Sequence, residues 1–245
     1  MLLQITASAY FDFLQQYASL IRDPVSRGVG VPHGDGRPVL LIPGFTAGDW
    51  SLGPMAAWLR RIGYKPYVSG IDLNVGCPQR KLELLGWRIE KIARESGRRM
   101  TIVGHSLGGV LGRAMATLKP AHVCEVVALG APIRQGWTGV HDQVRPTLEA
   151  IQSFWQLFSS APENCGTMAC ACGIADAVFA ATPERSRFSS IYTRRDEVVH
   201  WESCIDDAGS NFEVSGLHVG LIVNREVYRV LGDILADGAA GCAAA

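Results

Sequence analysis

At 245 residues, with a hydrophobic share of 48% and a charged share of 19%, the chain can bury one large core and lacks the composition of a disordered protein. Lysine plus arginine and aspartate plus glutamate balance at 23 each, which excludes the broad basic footprint of a nucleic-acid binder. The pairs Arg60-Arg61, Arg98-Arg99 and Arg194-Arg195 are short, scattered and read as solvated surface.

The opening stretch, MLLQITASAYFDFLQQYASL, has no basic leader, and Gln4, Asp12, Gln15 and Gln16 interrupt it at helical spacing. It predicts an amphipathic helix and not a signal peptide, so a soluble, cytoplasmic chain is expected. No run approaches the roughly 20 apolar residues of a membrane span.

RPVLLIP (37–43) is continuously apolar, as a strand buried on both faces must be. SLGPMAAWLRRIGY (51–64) follows as a helix, and YKPYVSGI as a strand. KLELLGWRIEKIARES places Leu85, Ile89 and Ile92 on one helical face, and Gly97 ends it. RMTIVG is the next buried strand, then comes a helix from about Gly109 to Leu118, halted before Pro120. CEVVALG (124–130), FSSIYT (188–193) and NFEVSG (211–216) read as further strands. REVYRVLGDILA aligns Val227, Val230, Leu231 and Ile234 as a last helix. Strands alternating with helices predict an α/β fold with a mostly parallel sheet covered on both faces, in one domain spanning 1–245.

Between Pro132 and Arg187 the alternation lapses over too many residues for an ordinary loop. LEAIQSFWQLFSS and MACACGIADAVFAA are apolar helix candidates there, expected either as a cap over 133–187 or as core helices, with the cap favoured. Of seven cysteines, Cys165, Cys170 and Cys172 cluster, whereas Cys77, Cys124, Cys204 and Cys242 are dispersed. Their spacing fits no common zinc pattern, so no metal is expected and small buried side chains are the simpler reading. A disulfide within the cluster, or from it to Cys204, requires an oxidising compartment.

TIVGHSLGGV (101–110) carries the chemistry. Ser106 follows a buried strand and opens a helix, the setting of a nucleophile elbow, with Gly104 and Gly108 where side chains would clash in so tight a turn. The helix behind it presents free N–H groups and a positive dipole end, so the Leu107 N–H is placed to stabilise an oxyanion. His105, one residue earlier, is expected to serve structure.

With its G-H-S-x-G-G motif the chain resembles the α/β-hydrolases, and among them the serine lipases and carboxylesterases. The resemblance covers about 37–132 and 187–236. It implies a second oxyanion donor after the first strand, in LLIPGFTAGDW (40–50), and assigns the N–H of Phe45; Pro43-Gly44 stands where many relatives have His-Gly, and Thr46 could add a hydroxyl. It also implies that an acid and then a histidine follow the serine, each after a later strand. SSIYTRRDEVVHW resembles the strand-then-acid segment and assigns Asp196, with Val198 packed behind it and Glu197 adjacent; Glu202, Asp206 and Asp207 are expected to face water. His122 and His141 come too early, His200 shares the acid's loop, and His218 lies past the last strand, where the base belongs.

A Ser106–His218–Asp196 triad implies ester hydrolysis through an acyl-enzyme, on a small-molecule or lipid-like ester. No motif asks for a metal, nucleotide or flavin. Trp155 and Phe158, with neighbouring aromatics, suggest an acyl-accepting wall, and Asn74 of GIDLNVGC (70–77) a residue at the mouth of the site. The same triad serves acyltransferases and thioesterases, and a binding protein without turnover is a further alternative.

Overall fold

The computed structural model describes residues 2–157, 174–238 and 241–242. Its sheet has six strands: β1 (Pro38–Ile42), β2 (Lys65–Val68), β3 (Met100–His105), β4 (Val123–Leu129), β5 (Arg187–Tyr192) and β6 (Ser210–Glu213). They lie in the order β2-β1-β3-β4-β5-β6, and every pairing is parallel. This is the α/β architecture read from the sequence.

The central strands β1, β3 and β4 are buried at every position, which explains their unbroken apolar runs. Alternate side chains feed two cores, because successive residues of a strand point to opposite faces. On one face Val39, Leu41, Val103 and Val127 pack with Leu20 of α1 (Leu2–Arg22), Trp58 of α2 (Gly53–Arg61), and Val227 and Leu231 of α7 (Arg225–Asp237). On the other, Leu40, Ile42, Ile102 and Val126 pack with Leu85 and Ile89 of α3 (Pro78–Ser96) and with Leu111 and Met115 of α4 (Leu107–Leu118). The edge strands β2 and β6 are only partly covered, and β6 ends three residues earlier than its apolar pattern suggests.

The long interruption divides in two. In α6 (Ile174–Phe179), Ala177 and Val178 join the α3/α4 core. In α5 (Arg145–Gln156), Gln152 is the one buried residue, and Phe154 and Trp155 are exposed. Phe158 and the cysteines at 165, 170 and 172 lie outside the described residues.

Two sequence expectations are corrected. Asp206 does not face water: it is buried in an ion pair with Arg113 of α4, whose guanidinium also covers the Phe188 ring. Cys204 is a buried free thiol, and the observed disulfide joins Cys124, at the start of β4, to Cys242 beyond α7.

Next to that bridge, Glu125 is fully buried on β4. Burial pushes its carboxyl up to about 7, against the opposing pull of Arg187, which donates to Oε1 at 2.6 Å. Oε2 has no hydrogen-bond partner. The folded carboxyl therefore holds its proton up to about pH 7, whereas an unfolded one loses it near its ordinary value of 4.5. Stability from this group is full below the lower value and lost as pH rises through the upper one. Glu125→Gln should remove that loss and raise the melting temperature at pH 8 by several degrees, on the order of 1–3 kcal/mol. Little gain is expected at pH 4. Thermal unfolding at both pH values checks it; equal shifts at both would contradict it.

Candidate active site

Ser106, Asp196 and His218 lie after β3, β5 and β6, at the carboxyl ends of the parallel strands, where open α/β sheets bind ligands. Ser106 stands between β3 and α4 with φ 52° and ψ −121°, one of two non-glycine residues with positive φ in the described chain. Such a conformation is strained for any residue with a Cβ. Glycine on both sides permits it. A Cβ at Gly104 would strike the Gly108 carbonyl, and one at Gly108 would strike the Ile42 carbonyl. The Ser106 N–H donates to Leu129 O at 2.8 Å, which fastens the turn to the end of β4. The helix thus starts at Leu107, two residues before the expected position.

Asp196 follows β5 and His218 follows β6. His218 Nδ1 and Asp196 Oδ2 are 2.7 Å apart, with His218 4% and Asp196 7% exposed. The other carboxylate oxygen, Oδ1, accepts the backbone N–H groups of Val198 at 2.9 Å and Val199 at 2.7 Å. The two bonds to Oδ1 aim Oδ2 at the imidazole. The Val198 side chain packs against Tyr192, Val199 and Cys204.

Gly130, at the end of β4, shows how closely these pieces approach. A Cβ there would lie 3.2 Å from both Asp196 Oδ2 and His218 Nδ1, one residue beyond the carbonyl that fastens Ser106. His105 Nε2 lies 3.1 Å from the His218 carbonyl oxygen, and the two rings sit with centroids 4.9 Å apart. Burial, and then the neighbouring His218, push the His105 pKa down to about 3, so His105 is a neutral spacer and not a second base. Among the described residues Ser106 Oγ makes no hydrogen bond to His218; catalytic contacts of this kind commonly tighten only with substrate.

Burial opposes a charge on His218, but the Asp196 carboxylate, its hydrogen bond and the Glu197 carboxylate together hold the imidazole pKa above its ordinary value. Glu197, passed over as a neighbour of the acid, is a contact of His218 missed from sequence. Its Oε2 accepts the backbone N–H of His218 at 2.9 Å, while Oε1 is buried without a partner. Only its place directly after Asp196 could have signalled it. Glu197→Gln should shift the acidic limb of a kcat/KM–pH profile to lower pH, because it removes a negative charge that favours imidazolium. An unmoved limb would show that Glu197 is not charged beside the free base.

The segment after β1 faces the elbow. A Cβ at Gly44 would lie 2.8 Å from His105 Nδ1 and 3.3 Å from Ser106 Cβ, which sets Phe45 beside the serine. Neither the Phe45 N–H nor the Leu107 N–H donates to an acceptor among the described residues. Thr46, with φ 60°, spends its hydroxyl on the Phe45 carbonyl at 2.6 Å. Asn74 is corrected: it is 1% exposed, and its Nδ2 donates to the Pro43 carbonyl at 2.7 Å, so it holds the Phe45 segment from behind and does not line a mouth. Trp155 is exposed on α5. With Val75, Cys77, Arg80, Lys81 and Leu84 it lines a cavity of about 370 Å³ at the start of α3, whose walls include none of Ser106, Asp196 or His218. No cluster of His, Cys, Asp and Glu among the described residues could hold a metal ion, and no described helix is long and apolar enough to cross a membrane.

The PGAP1-like alpha/beta domain family matches residues 73–198, just over half of the chain. A triacylglycerol lipase of Pseudarthrobacter phenanthrenivorans is 29% identical over 106 residues, covering 40% of this chain and 33% of that protein. One of Burkholderia plantarii shows the same 29% over 106 residues, covering 40% and 30%. The matched stretch thus spans about a third of those lipases. A solved structure from a study of two metagenome-derived lipolytic enzymes, LipS and LipT, superposes with a TM-score of 0.58 at 16% identity, over 85% of this chain and 95% of its own. At that identity the likeness is one of fold.

Proposed function

Because the chain belongs to the PGAP1-like alpha/beta family, within the α/β-hydrolase superfamily, we propose that it is a serine hydrolase cleaving carboxylic esters through Ser106, His218 and Asp196. One observation carries the reading: the buried 2.7 Å contact of His218 with Asp196, at the strand ends that also hold the strained Ser106 turn. The distant likeness to triacylglycerol lipases supports an ester as the substrate class.

A serine hydroxyl is a weak nucleophile until a base takes its proton. Asp196 accepts the Nδ1 hydrogen of His218 and leaves Nε2 as the basic nitrogen. His218 Nε2 removes the proton as Ser106 Oγ adds to the ester carbonyl. The Phe45 and Leu107 N–H groups receive the negative oxygen, each worth roughly 3–4 kcal/mol in comparable sites. Collapse breaks the bond to the alcohol, which leaves with the proton from His218. Water, deprotonated by His218, then adds to the acyl-enzyme, and the acid departs as Ser106 regains its proton.

Among the described residues of 133–187, α5 is the candidate cover for this site. The Cys124–Cys242 bridge favours an oxidising compartment over the cytoplasmic one expected from the opening residues, since cytosolic thiols are kept reduced.

The test is hydrolysis of p-nitrophenyl esters from acetate to palmitate. Turnover is expected, and the preferred chain length separates an esterase from a lipase. No turnover of any ester by folded protein would sink the reading.

A further inference from the structure

The orientation of the Phe45 N–H is fixed from outside its own loop. A peptide unit is planar, so holding the Gly44 carbonyl also aims the Phe45 N–H on the opposite side of that unit. The Gly44 carbonyl accepts the Ala47 N–H at 3.2 Å. Ala47 is in turn held by Asn74, whose N–H donates to the Ala47 carbonyl at 2.8 Å, while the Asn74 carbonyl accepts the Thr46 N–H at 3.1 Å. The Asn74 side chain adds the 2.7 Å bond to Pro43. Three hydrogen bonds from one residue therefore bracket 43–47, with Phe45 at the centre.

Thr46 makes this bracket necessary. A β-branched residue at φ 60° is a steric outlier and persists only where the surroundings over-determine it. The Asn74 carbonyl grips the N–H of that residue. Asn74 itself is buried, so an unpaired amide there would cost desolvation without recompense.

Two residues on, the same segment is gripped from α5. Gln152 accepts the Gly76 N–H at 3.0 Å through Oε1 and donates to the Gly76 carbonyl at 2.9 Å through Nε2. This reciprocal pair fixes which end of the amide is oxygen, since the N–H needs an acceptor and the carbonyl a donor. Gln152 is 3% exposed on a helix whose other residues are half-buried or exposed, so it is the polar plug by which α5 docks on 70–77.

We infer that Asn74 and Gln152 are positioning residues: hydrogen bonds from α5 to Gly76, the backbone of 74–76, and hydrogen bonds from Asn74 to Pro43, Thr46 and Ala47 together set the oxyanion donor at Phe45. The inference rests on the serine-hydrolase reading above. It makes α5 part of transition-state stabilisation and not only a cover. Movement of α5 off Gly76 loosens the donor while leaving Ser106, His218 and Asp196 in place.

The test uses the full chain with p-nitrophenyl butyrate, and octylboronic acid as a probe of the tetrahedral state. Ser106 Oγ adds to boron, its proton passes to His218, and a boronate oxygen occupies the donor site. Asn74→Asp keeps the shape but sets a carboxylate against the Pro43 carbonyl. It should lower kcat by about 10²-fold or more, as loss of an oxyanion donor does. Boronate affinity should fall in parallel, with KM little changed. Gln152→Ala, one step farther out, should lower both by roughly tenfold, and Gln152→Glu, which sets a carboxylate against the Gly76 carbonyl, should lower them at least as far. Should Asn74→Asp fail to fold, the two Gln152 variants carry the test alone. Unchanged kcat and boronate affinity in variants that only melt earlier would overturn the inference while wild-type turnover still depended on Ser106. A Ser106→Ala variant as active as wild type would overturn the underlying reading instead, and this inference with it.

Discussion

Ser106→Ala is expected to lower kcat for ester hydrolysis by about 10⁶-fold, because members of a working triad act as a unit and loss of the nucleophile removes the acyl-enzyme route. Stability should change little. The Ser106 side chain is half-buried and accepts no helix-capping bond, and an alanine Cβ occupies the same place at the same strained φ of 52°. The measurement is kcat on a p-nitrophenyl ester beside thermal unfolding. A variant that retains more than a hundredth of wild-type turnover would remove Ser106 from the chemistry.

Asp196→Asn is expected to lower kcat by about 10⁴-fold, and the structure gives the reason. Oδ1 accepts two backbone N–H groups, from Val198 and Val199, so in the variant the amide oxygen must stay on that side. The NH₂ group then faces His218 Nδ1 and donates to it. Nδ1 must accept, the ring proton moves to Nε2, and the nitrogen that should deprotonate Ser106 is blocked. A shift of the acidic limb alone, with plateau kcat intact, would contradict this. The ring tautomer can be followed by ¹⁵N NMR of His218.

The fold was legible because its determinants are local. Unbroken apolar runs such as Val39 to Ile42 mark strands covered on both faces, and Leu85, Ile89 and Ile92 mark a helix with one buried face. The elbow at Ser106 was legible because steric demand at Gly104 and Gly108 is written in the sequence itself. Asp196 and His218 followed from chain order once the family pattern was applied, and the two do meet.

What stayed hidden depends on contacts distant in sequence. Asn74 looks like any loop asparagine until Pro43, 31 positions earlier, is found against its amide. Asp206 was assigned to water because its partner Arg113 lies 93 positions away, on α4. Cys124 and Cys242 are 118 apart and bear no spacing signature. Phe154 and Trp155 of α5 suit an acyl wall as well as a helix whose apolar residues face outward, and the structure shows them exposed.

The measurement that tests the central claim most directly is covalent labelling with a p-nitrophenyl alkylphosphonate, followed by peptide mass spectrometry. A phosphorus ester enters the site as an ester, Ser106 Oγ displaces nitrophenolate, and the tetrahedral adduct persists because water attacks it slowly. The account predicts one adduct, on Ser106, formed at a rate that falls steeply in Asp196→Asn and is absent in Ser106→Ala. No adduct on folded wild-type protein, or an adduct on another residue that forms equally well in Ser106→Ala, would contradict it.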